Sequence, residues 1–416
     1  MTPFDADVAV IGGGPAGSTV AHLLAKRGRQ VLVLEKEQFP RFHVGESLLA
    51  HNLPILERLG VDLSGAFMRK GGAEFVHEPT GRHTAFPFAD GLPGTGDHAY
   101  QVERSKFDKL LLDTAEAAGA DVHQNESVRS IEVESDCVAI ETSAARYSTR
   151  YCIDATGQDF FLGRRRRTIA PIRGFGVIGM FKHFLGLRPE VVAELSATGN
   201  IRVFMISRGW MWAIPLAGNK VSVGIVSRER GVEPSHLDEE IAASPMLCHI
   251  IGGAESSTPS RLIRHFAAVN RKVYGARFAC VGDAAAFLDP VFSSGVCLGM
   301  VGGERLADVV GPALSGGYEG REDLCAAWSA DMRIGYERMG TLVHSFYNAR
   351  IVENLFFCTD PEPLMRAGLI TMLTGDLWRD DNLFQDRLMA GRRRWSLDDA
   401  DNAPGNPDAP EVTVRA

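Results

Sequence analysis

The apolar positions of the first forty residues change period twice. Residues 7–11 (DVAVI) and 30–34 (QVLVL) are short, nearly unbroken apolar runs, as expected of strands buried on both faces. Between them Val20, Leu23 and Leu24 recur at helical spacing, and Gly28 supplies the stop. A strand, a helix and a second strand are therefore predicted. Further on, GWMWAIPL sets Trp210, Trp212 and Ile214 on one face of an extended strand, which Pro215 is expected to close. An AGNK turn and the alternating run VSVGIVS complete a hairpin in a separate sheet. FPRFHVGESLL reads as a loop feeding an amphipathic helix, with Leu48, Leu49, Leu53 and Leu56 on its apolar side and Glu46 and Ser47 in its cap and first turn. From YEGRED onward the pattern is helical, and the Asp/Pro/Asn-rich residues 396–416 read as a disordered tail.

Bulk properties narrow the class. A chain of 416 residues has room for two or three domains. The formal charge of −8 argues against nucleic acid as a partner. Seven scattered cysteines without C-x-x-C spacing read as reduced thiols of a cytoplasmic protein, with neither a disulfide frame nor a zinc site. A strand pattern beginning by Asp7 leaves no room for a secretory presequence, and no apolar run reaches the length of a membrane span.

The chemistry starts at Gly12, Gly14 and Gly17, a G-x-G-x-x-G between strand and helix, with Ala16 inside it and Glu35 and Lys36 after the second strand. Gly12 permits the tight turn, Gly14 lets the backbone approach a pyrophosphate, and Gly17 lets helix and strand pack closely. The helix N-terminus offers its free N–H groups to that anion, and Glu35 offers acceptors to a ribose. This is a dinucleotide site. Two later stretches bear on which dinucleotide: CIDATGQ ends a strand at Asp154, and FACVGDAAAF carries a strand, Gly282-Asp283 and then a helix. From the residues alone, Asp283 is either a helix N-cap or a ligand.

The glycine loop, the D-A-x-G strand end and the late G-D together resemble the FAD-dependent monooxygenases of the p-hydroxybenzoate hydroxylase fold. The segments FPRFHVGESLL, QVERSKFDKLLLDTA, DATGQDFFLGRR, WMWAIP and GDAAAFLDPVFSSGV sharpen this to a resemblance to flavin-dependent halogenases of the phenol and pyrrole type. The implied fold is α/β: a Rossmann-like FAD-binding domain (1–75, 100–175 and 265–315), an inserted antiparallel β-sheet substrate domain (76–99 and 176–264) and a C-terminal helical region (316–395). The same resemblance makes Asp283 a ligand of the flavin's ribityl chain, gives Arg41, Ser47 and Arg104 contacts to FAD, and aligns Pro290 with the family's F-x-x-P-x-x-S-x-G. It implies that reduced FAD and O2 form a flavin hydroperoxide, that halide attacks it to give hypohalous acid, and that a lysine then hydrogen-bonds this acid or becomes a haloamine before an electron-rich ring is halogenated. Trp210, Trp212, Ile214 and Pro215 would separate flavin from substrate; plain core packing is the alternative.

Lys70 stands where the family has its lysine, although Arg-Lys-Gly-Gly by itself reads as a surface turn with Arg69 solvated. Ser294 and Gly295 are expected to present backbone N–H groups to chloride or bromide, and Phe292 replaces the glutamate of tryptophan-type enzymes, which turns the expected substrate away from tryptophan. No second glycine fingerprint is seen, so FADH2 is expected from a separate flavin reductase. Phe346, Tyr347, Phe356 and Phe357 read either as helix-face core or as substrate-pocket lining. The basic runs 164–167 and 392–394 are either solvated faces or a dock for an acidic carrier protein bearing the substrate. A geranylgeranyl-reductase-like oxidoreductase or hydroxylase is the rival enzyme, differing by two residues at WMWAIP.

Overall fold

The computed structural model describes residues 4–398 except 230, 265, 349–350 and 392–393. Most of the expected tail, and two of the three arginines at 392–394, therefore lie outside the described residues.

A mostly parallel sheet runs in the order Tyr274–Gly275, Phe278–Cys280, Arg146–Asp154, Ala6–Ile11, Val31–Leu34, Asp121–His123. The apolar runs of the sequence are explained by its two covered faces. Val8, Val10, Val31 and Val33 point toward the helices Pro15–Lys26 and Ser294–Gly316, while Ala9, Ile11, Leu32 and Leu34 pack under the hairpin Val128–Val133/Val138–Thr142. With neither face wet, no polar alternation survives in these strands.

The roof sheet has the order Glu255–Ser256, Ile178–Leu185, Lys220–Ser227, Gly209–Leu216, Ile201–Ile206, Gly72–His77, Arg82–Pro87. Antiparallel pairing holds throughout it except between Ile201–Ile206 and Gly72–His77, which run parallel. The expectation of a purely antiparallel sheet is corrected at that pair: the two strands are remote in sequence and need no hairpin turn. The boundary expected at 75/76 also falls within the strand Gly72–His77. One roof face (Met211, Ala213, Val223, Ile225) is covered by the helices Pro189–Ser196, Pro234–Ala243 and Pro245–Ile251; the other (Trp210, Trp212, Ile214, Val226) shares a core with the mostly parallel sheet and its helices.

Pro215 does not close its strand, which continues to Leu216. Its missing N–H is tolerated because pairing with the neighbour Ile201–Ile206 ends at Ala213, leaving Pro215 bonded on one side only, opposite Val221. The expected amphipathic helix is shorter and later, at Leu53–Arg58 behind a 3-10 turn. Ser47 is extended instead, bridged to Gln101, so it does not cap that helix. The C-terminal region is helical: Ser294–Gly316, Ala326–Tyr347, Pro363–Leu373 and Leu383–Ala390, with a π-helical turn at Val352–Phe356. No helix among the described residues is long and apolar enough to cross a membrane.

Candidate active site

A cleft of about 650 Å³ opens at the carboxyl ends of the parallel strands, between that sheet and the roof. Gly12, Gly14, Ala16, Glu35, Lys36, Arg41, Ser47, Arg104, Asp283 and Pro290 all line it. So do Trp210, Trp212, Ile214 and Gly295. Gly17, Ser294 and Lys70 are buried without lining it, and Pro215, expected in the barrier, does not line it either, because alternation along its strand turns it to the face opposite Trp210, Trp212 and Ile214.

The glycine loop is built for an extended anion. Gly12 has φ +103°, and a Cβ there would fall 2.5 Å from the Ala155 carbonyl oxygen. A Cβ on Gly17 would lie 2.0 Å from the Gly12 carbonyl oxygen, so no side chain fits between loop and helix. Gly14 differs, because its nearest neighbour would be the Arg41 guanidinium at 3.6 Å; it faces open space. Glu35 locks the loop by accepting the Gly13 N–H at 2.7 Å and the Glu37 N–H at 2.9 Å, with lone pairs left toward the cleft. An open Gly14 face, a helix N-terminus, two arginines, a buried acceptor at Glu35 and a half-buried one at Asp283 fit FAD, from its pyrophosphate to its ribose and ribityl hydroxyls.

Both arginines are held by Asp108, a residue the sequence reading passed over. Arg104 donates to it in a fork, Nε to Oδ1 at 2.7 Å and Nη2 to Oδ2 at 2.9 Å, and Arg41 Nη1 lies 3.2 Å from Oδ2. The only signal available was the i, i+4 spacing of Arg104 and Asp108 on one helix. Asp283 sits in the 3-10 turn Gly282–Ala284, and the long helix begins only at Ser294, so the helix-cap reading is corrected. Burial lifts the Asp283 carboxyl to about 6, against the pull of Arg104 and a hydrogen bond from Gln158. Glu46 was also underestimated. It is buried, lines the cleft and lies 2.8 Å from His183 Nε2 on the roof strand Ile178–Leu185.

The wall is anchored at both indoles. Trp210 and Trp212 have ring centroids 5.7 Å apart. Trp210 donates its N–H to the Tyr347 hydroxyl at 3.0 Å, and Trp212 donates to Ser222 Oγ at 3.1 Å. Gly224, opposite Trp212 across the strands, leaves room for the indole: a Cβ there would fall 2.3 Å from Trp212 Cζ2. Next to the wall, Ser293 adopts φ +58° and ends the turn Pro290–Phe292. It starts a 23-residue helix with no side-chain cap, so the free N–H groups near Gly295 meet the cleft with the positive end of the helix dipole.

Lys70 is no surface turn residue. It lies on the strand Met68–Lys70 at 1% exposure. Its Nζ donates to Ser47 Oγ and to the Leu48 carbonyl, each at 2.9 Å, and lies 5.1 Å from the Phe88 ring centre. Burial pushes its pKa down to about 7. The four C-terminal aromatics separate in space. Phe346 and Phe356 join Phe75 and Phe292 in a buried aromatic cluster, Tyr347 bonds the wall, and Phe357 packs outside against His77 and Arg82. The arginines at 164–167 partly serve packing, with Arg165 stacked on Phe161 and Arg166 on Phe278, each at 3.5 Å.

Comparison with known proteins follows the same lines. The family described as tryptophan halogenase matches residues 7–95 and 80–360. A 1H-pyrrole-2-carbonyl–peptidyl-carrier-protein chlorinase of Pseudomonas fluorescens is 28% identical over 92% of this chain and 92% of its own. A flavoprotein/dehydrogenase from Cytophaga hutchinsonii superposes with a TM-score of 0.81 at 28% identity, covering 92% of this chain and 95% of that one. A flavin-dependent brominase superposes with a TM-score of 0.80 at 25% identity, covering 92% and 97%.

Proposed function

The chain belongs to the tryptophan halogenase family and is an enzyme of the flavin-dependent halogenase type, and from that premise we propose that it oxidises chloride or bromide and, through Lys70, halogenates an electron-rich phenol or pyrrole ring, free or bound to a carrier protein. Bound in the reduced state, FAD supplies the oxygen-activating chemistry that converts halide to hypohalous acid. The glycine loop, Arg41, Arg104, Glu35 and Asp283 hold it; the amides near Gly295 hold the halide; the tryptophan wall keeps the organic substrate and bulk water from the flavin side.

The observation that carries this reading is the environment of Lys70. A neutral amine has two N–H groups, and both find acceptors, on Ser47 and Leu48. Its lone pair then remains for the halogen. Nitrogen takes the halogen from hypohalous acid and loses a proton, water leaves, and the ring takes the halogen from nitrogen and returns a proton. With pKa near 7 the amine is well populated at neutral pH. Phe292 before the halide segment, and the carrier-bound pyrrole of the chlorinase relative, favour a ring other than tryptophan. The test supplies FADH2 from a flavin reductase, with O2 and either halide, to the wild type and to Lys70→Ala. Phenols, pyrroles and carrier-bound acyl groups are then followed by mass spectrometry. Halogenated product from the wild type and none from Lys70→Ala is expected; oxygenated or reduced product independent of halide would instead indicate the oxidoreductase rival.

A further inference from the structure

Asp289 is buried with both carboxylate oxygens engaged. Oδ1 accepts the Val291 N–H at 3.0 Å; Oδ2 accepts the Gly176 N–H at 2.8 Å and the Tyr347 hydroxyl at 2.7 Å. Tyr347 in turn accepts the Trp210 indole N–H at 3.0 Å. Four separate parts of the fold meet in this chain of bonds. Val291 lies in the turn leading to Ser293 and Gly295, and Gly176 precedes the roof strand Ile178–Leu185. Tyr347 ends the helix Ala326–Tyr347, and Trp210 is the first indole of the wall. The approach is close throughout: a Cβ on Gly176 would fall 2.7 Å from Asp289 Oδ2.

We propose that Asp289 and Tyr347 are a positioning pair that fixes the Trp210 indole against the halide-bearing turn, so that hypohalous acid passes the wall toward Lys70 without attacking the wall itself. The proposal rests on the halogenase reading above. An indole is an electron-rich ring, and hypohalous acid would transfer its halogen to it with loss of water. Trp210 is therefore a competing substrate beside the acid's source. An indole whose N–H is tied down presents one fixed face and edge to the cleft; one released by loss of Tyr347 rotates, exposes its reactive carbon and opens a gap in the wall. Because one carboxylate also caps the halide-bearing turn, source and barrier are held in the same frame.

Two measurements on Tyr347→Phe and Asp289→Asn test the pair. In flavin-free protein labelled with 15N-tryptophan, the Trp210 indole resonance should shift in both variants while those of Trp328, Trp378 and Trp395 stay in place. With FADH2, O2 and bromide but no organic substrate, bromination of the Trp210 peptide is measured by mass spectrometry. It is expressed as a share of all bromide oxidised, counting acid caught by a β-diketone scavenger, so a partly unfolded sample does not alter the ratio. At least a threefold rise in that share is expected in Tyr347→Phe. A Trp210 resonance unchanged in Tyr347→Phe overturns the pairing. A shifted resonance with an unchanged bromination share overturns the positioning role while leaving the halogenase reading intact. Failure of the wild type to oxidise either halide overturns that reading, and the proposal with it.

Discussion

Lys70 Nζ lies 2.9 Å from Ser47 Oγ, and the same Ser47 lines the flavin-sized cleft. One residue thus borders the cofactor space and accepts a hydrogen bond from the lysine on its far side. Two roles that separate sequence motifs suggested, a flavin contact and a halogen carrier, meet in a single hydrogen bond.

If amine chemistry is what Lys70 supplies, charge alone will not replace it. Lys70→Arg keeps a cation but has no neutral form in the working pH range. Product formation should fall by at least 100-fold in Lys70→Arg and Lys70→Ala alike, while free hypohalous acid still accumulates in a scavenger assay. Substantial product from Lys70→Arg would show that hydrogen-bond donation suffices.

The proton on Lys70 also links activity and stability to pH. Burial lowers its pKa from 10.5 to about 7, so product formation in single turnovers should rise as pH passes through about 7. Between about 7 and 10.5 the folded state carries one proton fewer than the unfolded chain at this site. Stability should therefore climb with pH across that window, by up to about 1.4 kcal/mol per unit from this group. Urea unfolding at pH 7.5 and 9 measures it, and Lys70→Met should flatten the difference.

Two glycines of one motif should fail differently. Gly17→Ala places a methyl against the Gly12 carbonyl oxygen and should lower the thermal midpoint with or without FAD. Gly14→Ala meets only the end of Arg41, so the fold should hold while FAD affinity drops by roughly tenfold or more, about 1.4 kcal/mol. Calorimetric titration and thermal melts separate the two.

Gly224→Ala tests the wall from behind. The added methyl would collide with Trp212, and overpacking of this kind costs about 1–3 kcal/mol. A lower urea midpoint is expected, together with more hypohalous acid reaching the scavenger per product formed. Unchanged partitioning would mean that Trp212 serves packing alone.

Local periodicity determined the parts of this protein that rest on neighbours in the chain. The glycine loop, its flanking strands, the shared face of Trp210 and Trp212 and the helical C-terminal region all follow from spacing, because strand and helix geometry fix which near residues share a face. Burial of Lys70, by contrast, was ambiguous, since a three-residue strand leaves almost no pattern and its cover comes from Ser47, Leu48 and Phe88. Asp108 between two arginines, Glu46 against His183, and Tyr347 joining Asp289 to Trp210 were likewise decided only in three dimensions. The physical reason is common to them. A buried polar group must find a partner wherever packing brings one, and which remote residue arrives depends on how the two sheets and the C-terminal helices stack, which no local period encodes.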